Sequence, residues 1–366
     1  MPNFRLMKFP GKLLTLLFLL VISVFIHFYS LNEIRVEEGY STHFSPAFSR
    51  FLRYGLGWIP ISIGDILYGS LVSWFIWKLF KAISRLWKKT IFQPKPLKDR
   101  VLNALVICTS VYIVFNVFWG INYDRQGIAT QLGLKMGKYS KEDLVEMNCL
   151  LLEKVNASKA VLEKKHIVYP KNRELFEKTG DAYRNIASVY PFLKYDPASI
   201  KPSMWGWLGN YTGFTGYYNP FSGEAQVNTT VPKFLQPYIA CHEVAHQVGY
   251  AKEMEANFVG YLAATSSSDT LFHYSCYLDL FLYTNRNLFL LDSVSAKLSR
   301  QELSPSVKTD LQEWIRFNRS HQSFAEPVIR WMYGKYLQGN KQPQGVMSYD
   351  EVTAFLIAYY KKFGRI

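Results

Sequence analysis

His242 and His246 stand four residues apart, with Glu243 beside the first, in the run Cys241-His242-Glu243-Val244-Ala245-His246-Gln247-Val248-Gly249. On a helix, residues four apart share a face one turn apart, so the two imidazoles can aim at one point with the Glu243 carboxylate next to them. Two nitrogen donors and a proton acceptor from a single turn suit hydrolysis at a metal ion. Zinc used in this way takes three protein ligands and keeps a fourth position for water. The sequence must therefore supply a third ligand. Gly249 offers a helix stop three residues after His246, because glycine adopts the left-handed conformation that closes a helix, and the chain can then turn back.

Glu253-Met254-Glu255-Ala256-Asn257-Phe258-Val259-Gly260-Tyr261-Leu262-Ala263-Ala264 follows as a run of good helix formers. Two of its glutamates compete for the ligand position. Glu253 shares a face with Asn257 and with Ala256, which is small enough for close helix approach, whereas Glu255 points roughly the other way. Glu253 is the expected ligand and Glu255 its competitor. Asn257 is the expected hydrogen-bond partner that orients a ligand histidine. The expected cofactor is one Zn2+ per chain, with Glu243 as general base. Cys241 diverges from His242 by about 100° on a helix and reads as packing.

The pair HEVAH and EMEAN resembles the HExxH plus ExxA(D/N) signature of gluzincin-type zinc metallopeptidases. That resemblance also implies His242, His246 and Glu253 as ligands, Glu243 as base, and an α+β zincin-like domain. A bare HExxH occurs on ordinary helices with two surface histidines. The glycine stop and the glutamate-alanine-asparagine helix behind it distinguish this one.

Between Lys201 and Pro232 the composition turns to glycine, tyrosine, tryptophan and asparagine, and Gly223 to Thr229 reads as a short strand. Gluzincins place an edge strand before the HExxH helix, to which the substrate backbone adds as a further strand. The similarity implies substrate binding along Gly223, Glu224, Ala225, Gln226, Val227 and Asn228 by strand augmentation; a plain hairpin loop is the competing reading. A capping box at Ser140-Lys141-Glu142-Asp143 opens a helix running through Leu162, and a second helix spans about Asn172 to Val189. These two are expected to pack as a hairpin over the site. Further helices are expected at about 270 to 290, 306 to 319, 325 to 337 and 349 to 362. His273, Tyr274 and Tyr277 have core spacing, with a transition-state donor among them as the alternative.

Over 366 residues, 49% are hydrophobic, 16% aromatic and 19% charged, which is apolar for a soluble protein. Leu13 to Tyr29, about 59 to 80, and 101 to 119 are long enough to cross a bilayer. Arg5, Lys8 and Lys12 precede the first, which reads as a retained signal anchor. The second and third are joined by a connection carrying Lys78, Lys81, Arg85, Lys88, Lys89, Lys95, Lys98 and Arg100. Arg35, Arg50 and Arg53 before span two are offset by Glu33, Glu37 and Glu38. By the positive-inside rule the basic loop is cytoplasmic, and everything after Trp119 lies outside the cytoplasm. Residues 1–122 then form the anchor, and 123–366 an extracytoplasmic zinc metallopeptidase-like domain on a bacterial cell membrane. The fold class is mainly α, with three transmembrane helices followed by the zincin-like domain and its small edge-strand sheet. A basic loop beside anionic lipid accounts for much of the net charge of +14, and no nucleic-acid-binding motif is present. Asp65, near the outer end of span two, reads as interfacial or capping, with a functional role as the alternative. Of the four cysteines, only Cys149 and Cys276 could form a bridge.

Ile59 to Tyr68, Trp119 to Arg125, Tyr217 to Ala225 and the HEVAHQVGYAKEMEANF stretch are together similar to an uncharacterised bacterial family of three-span membrane proteins. That family is known as a domain of unknown function and predicted to be a zinc peptidase. The implied partners are a peptide or protein substrate and the lipid bilayer. A non-catalytic zinc-binding sensor or scaffold, or a hydrolase of a non-protein envelope amide, are the alternatives. The HExxH segment has lysines nearby, unlike an intramembrane protease helix, so cleavage is expected in water or at the interface.

Overall fold

The computed structural model describes residues 11–87, 96–166, 168–345, 347 and 351–366. The expected basic residues Arg5, Lys8, Lys88, Lys89 and Lys95 lie outside the described residues. Among the described residues the chain is mainly helical, with a single three-stranded sheet.

Among the described residues, three helices are long and apolar enough to cross a membrane: α1 (Gly11–Ser30), then α4 (Ile63–Trp87) and α5 (Leu97–Phe118). The apolar stretches of α4 and α5 bury none of their residues inside the protein, the pattern of a helix solvated by lipid. α4 starts four residues later than hydropathy places it. Pro60 interrupts the run, and the Ser62 hydroxyl accepts from the Asp65 amide at 3.0 Å as a helix cap. Between α1 and α4 lie α2 (Glu33–Arg35), a π-helical segment (Val36–Phe44) and α3 (Ser45–Leu56). α3 buries Ser45, Ser49 and Arg53 on one stripe and exposes Phe51 and Tyr54 on another.

After α5 come a 3₁₀ turn (Gly120–Asp124), α6 (Gly127–Gln131), α7 (Lys141–Lys164) and α8 (Asn172–Val189). β1 (Ile200–Pro202), α9 (Gly206–Thr212), β2 (Gly216–Asn219) and β3 (Glu224–Val227) follow, then α10 (Gln236–Gln247) and α11 (Glu253–Thr265). The chain ends with α12 (Thr270–Leu291), α13 (Ser293–Gln301), α14 (Pro305–Ser320), α15 (Glu326–Gly339) and α16 (Val352–Phe363). α7 opens on the anticipated box: the Ser140 hydroxyl accepts from the Asp143 amide at 3.1 Å, and the Ser140 amide donates to Asp143 at 2.9 Å.

The α7–α8 hairpin expected from sequence is corrected. α7 lies along α12, and α8 packs on α10 and α11, because each buries its own apolar stripe against a different part of one core. That core holds Leu151, Val155, Tyr183, Val244, Phe258, Tyr274 and Phe281, among others. Tyr274 and Tyr277 belong to it, with the Tyr274 hydroxyl donating to Asp310 at 2.5 Å. The proposed Cys149–Cys276 bridge is also corrected: all four cysteines are free, and Cys276 is buried in the core whereas Cys149 is exposed.

The sheet runs in the order β1-β3-β2, with β3 parallel to β1 and antiparallel to β2. The strand expected at the edge is therefore the central one. The reason is its two-faced burial: Ala225 and Val227 enter the core, while Glu224 and Gln226 are buried on the opposite face against the start of α4.

Candidate active site

α10 and α11 pack closely, because a Cβ at Gly260 would come within 3.2 Å of the His242 backbone and Ala256 is fully buried. α10 stops where the glycine requires it. Gly249 has φ +101°, its amide donates to the His246 carbonyl at 2.8 Å, and the chain reverses into α11.

This reversal brings the Glu253 carboxylate to the two imidazoles. Oε2 of Glu253 lies 3.2 Å from His242 Nε2 and 3.4 Å from His246 Nε2, and the three candidate ligand atoms fall within 4.8 Å of one another. The other carboxylate oxygen accepts from the Tyr333 hydroxyl at 2.7 Å, and the Glu253 amide donates to Gln342 at 2.9 Å. Nδ1 of His246 faces the Tyr250 carbonyl at 2.7 Å.

Charge inside the cluster is tightly linked. Burial alone would lower His246 and raise Glu253. Their mutual attraction wins in both, so the imidazole is held above its usual range and the carboxyl well below its own. For Glu243, burial dominates and pushes the carboxyl up to about 7, against the pull of His242 and His246. Glu243 lies against β2, where a Cβ at Gly216 would meet its Oε1 at 2.5 Å. Glycine is what lets the strand pass so near the carboxylate.

Glu255 stands outside the cluster. Its carboxylate fills the space beside Gly127, whose φ is +80°, in the neighbourhood of Arg125. The competition between the two glutamates is thus decided by position around the helix. Asn257 is buried and lines the cleft. The Tyr250 carbonyl faces Nδ1 of His246.

The cleft over the cluster encloses about 680 Å³. Trp119, Tyr123 and residues 214–218 form one wall, and Glu326, Arg330 and Tyr333 of α15 form part of the other. Gly223, Glu224, Ala225, Gln226, Val227 and Asn228, expected to hold substrate, do not line it, which corrects that expectation. Glu224 instead accepts from the amides of Ile63 and Gly64 at 3.2 and 2.7 Å, so a carboxylate meets the positive end of α4. Gln226 donates to Ser62 at 3.0 Å, and Asn228 donates to the Gly206 carbonyl at 3.0 Å and to Asn210 at 2.7 Å. The strand that meets the cleft is β2, whose outer edge is unpaired in the sheet order. Asp65 is equally structural, accepting from the Met204 amide at 2.7 Å and from the Tyr217 hydroxyl.

Sequence reasoning missed Tyr333 and Arg125. Arg125 is buried, paired with both oxygens of Glu37 at 3.0 and 2.6 Å, and donates to the Gly249 carbonyl at 3.1 Å. An arginine soon after the third apolar span and a glutamate between the first and second were the available signal.

Among the described residues, this is a mainly helical protein with three candidate membrane spans, one small sheet and a His2Glu cluster in a cleft. Residues 40–357 match the family described as Protein of unknown function (DUF3810), and the chain belongs to that family. No curated protein and no solved structure matches it. The match establishes membership and carries no activity with it.

Proposed function

We propose that this protein is a membrane-anchored, zinc-dependent peptidase, with His242, His246 and Glu253 holding the ion and Glu243 moving the proton. The observation that carries the reading is the convergence of two imidazole nitrogens and one carboxylate oxygen at the wall of an open cleft. The donor set fits zinc: three buried protein ligands, with partners already engaging the outer atoms of His246 and Glu253. Zinc bound there would supply a water of lowered pKa and polarise a carbonyl.

The chain's own groups perform the rest. The Glu243 carboxylate, next to His242 on α10 and lining the cleft against β2, is placed to accept a proton and pass it to a leaving amine. β2 takes the substrate-strand role expected of β3: its free edge is the place for an extended backbone, and Gly216 keeps that edge close to Glu243. Lys78, Lys81, Lys98 and Arg100, with the basic residues between them, favour a cytoplasmic loop and hence an extracytoplasmic cleft.

The test is metal content of the full chain purified in detergent and supplied with zinc. One zinc per native chain, lost in Glu253→Ala and retained in Glu243→Gln, supports the assignment. The second variant should then fail to cleave an unstructured peptide library that the native protein cleaves. A folded native chain that takes up no zinc overturns the reading.

A further inference from the structure

The chain from Ser203 to Ser222 carries no charged residue, although it crosses the protein surface and includes α9. Trp207 is 57% exposed, and Leu208 and Tyr211 are also exposed. α15 touches α9, and the Ser323 hydroxyl just before it donates to the Tyr211 carbonyl at 2.7 Å. α15 has two unlike stripes. Glu326, Arg330 and Tyr333 line the cleft, while Val328, Trp331 and Met332 face outward and continue the line of Phe324. Phe324 is 96% exposed and Trp331 64%.

The depth of these surfaces is set by what they touch. Trp205, at the start of α9, donates from Nε1 to the Asp65 carbonyl at 3.1 Å, and its ring covers Gly69, so it lies against the first two turns of α4. Tyr217 packs on Tyr68 of the same turns, with ring centroids 6.2 Å apart. Tyr336 of α15 packs on Phe115, one turn from the end of α5, at 6.3 Å. On the anchor side, Phe48 of α3 meets Phe118, the last residue of α5, at 4.5 Å. Two helices that rim the cleft are thus fixed to apolar turns within two different candidate spans.

We infer that the α9–α15 rim is immersed in the interface of the lipid bilayer, so that the cleft opens at the membrane surface. Lipid is the occupant because the exposed stripe is continuous with the lipid-facing sides of α4 and α5. Tryptophan and tyrosine are the side chains that favour the interface, and the exposed Lys335 can extend from the same stripe toward headgroups. In water the same stripe would be a large unshielded apolar patch. A substrate class follows, and it rests on the peptidase reading: a polypeptide tethered to the same bilayer.

The test places a nitroxide label on the full chain in lipid nanodiscs through Trp207→Cys, Phe324→Cys or Trp331→Cys. Cys108→Ser and Cys149→Ser remove the exposed thiols. Arg173→Cys, at an exposed charged position, gives the aqueous reference. Dissolved oxygen reaching the three rim labels better than a water-soluble nickel chelate, with the reverse order at 173, supports the inference. Rim labels that follow the order seen at 173 overturn it. This readout needs no catalysis, so it stands or falls apart from the peptidase reading. For the substrate class, an N-palmitoylated peptide library should be cleaved about tenfold or more faster than its unacylated twin, through local concentration at the membrane; equal rates overturn that class.

Discussion

Nδ1 of His246 donates to the Tyr250 carbonyl oxygen across 2.7 Å. A carbonyl can only accept, so the ring nitrogen facing it carries the proton and Nε2 is the atom left for Glu253 and for a metal. The carbonyl is placed by the left-handed Gly249 just before it, whose own carbonyl is held by Arg125. Arg125 is in turn held by Glu37, in the π-helical segment after the first span. Ring orientation at the cluster therefore depends on an ion pair reaching back across the chain.

Breaking that pair should be costly. Arg125→Ala leaves the buried Glu37 carboxylate without its charged partner, with only the Gln131 amide still donating to it, and removing one member of a buried pair costs about 3–5 kcal/mol. Thermal unfolding in detergent should show a clearly lowered midpoint, with Arg125→Lys intermediate because lysine cannot reproduce the two-pronged contact. An unchanged midpoint for Arg125→Ala would remove the pair from any structural role.

Tyr333→Phe deletes one hydroxyl and leaves the ring. The carboxylate of Glu253 then loses the donor on its outer oxygen, and loss of such a partner lowers metal affinity about 10- to 100-fold. Zinc competition with a calibrated chelator reads this directly. Equal affinity in the two proteins would show that the hydroxyl contributes nothing to the ligand.

Gly216→Ala separates chemistry from metal binding. The added methyl meets Glu243 Oε1 at 2.5 Å, so either the base or the strand must move, while the three ligands lie elsewhere. Peptide cleavage should fall steeply with zinc content unchanged. Full activity would mean that Glu243 does not act from this position.

Zinc uptake should depend on pH with a definite sign. In the metal-free cluster, Glu253 holds His246 protonated above its usual range, and zinc must displace that proton. Affinity should rise as pH increases through neutrality and level off once His246 has lost its proton. Each zinc bound below that point should release protons into a weakly buffered solution. Affinity that is flat from pH 6 to 9 would contradict this coupling.

The parts of the site that follow from helical periodicity were legible in the sequence. His242, His246 and Glu253 come from two adjacent helices joined by Gly249, so their meeting is a local event, and α8 begins and ends where its pattern says. One strand of the sheet was legible, at Gly223 to Thr229, but its central position was not, because β1 is only Ile200–Pro202, with a proline and no alternation to announce it. Without β1, the β3 run reads as an edge. Glu224 looked like a substrate contact because its real partners, the first amides of α4, lie some 160 residues away in sequence. Tyr333 was hidden for the same reason: nothing in α15 marks Tyr333 over Tyr336 as the one that reaches Glu253.

The contacts made across residue 122 have a consequence for how the chain can be divided. Arg125, Lys201 and Glu224 are all buried beyond residue 122, yet each takes partners from before it: Glu37, the Gly57 and Ile59 carbonyls, and the Ile63 and Gly64 amides. Loss of residues 1–122 would leave all three side chains without those partners. The residues before and after position 122 therefore depend on one another, and removing residues 1–122 would not release an intact cleft.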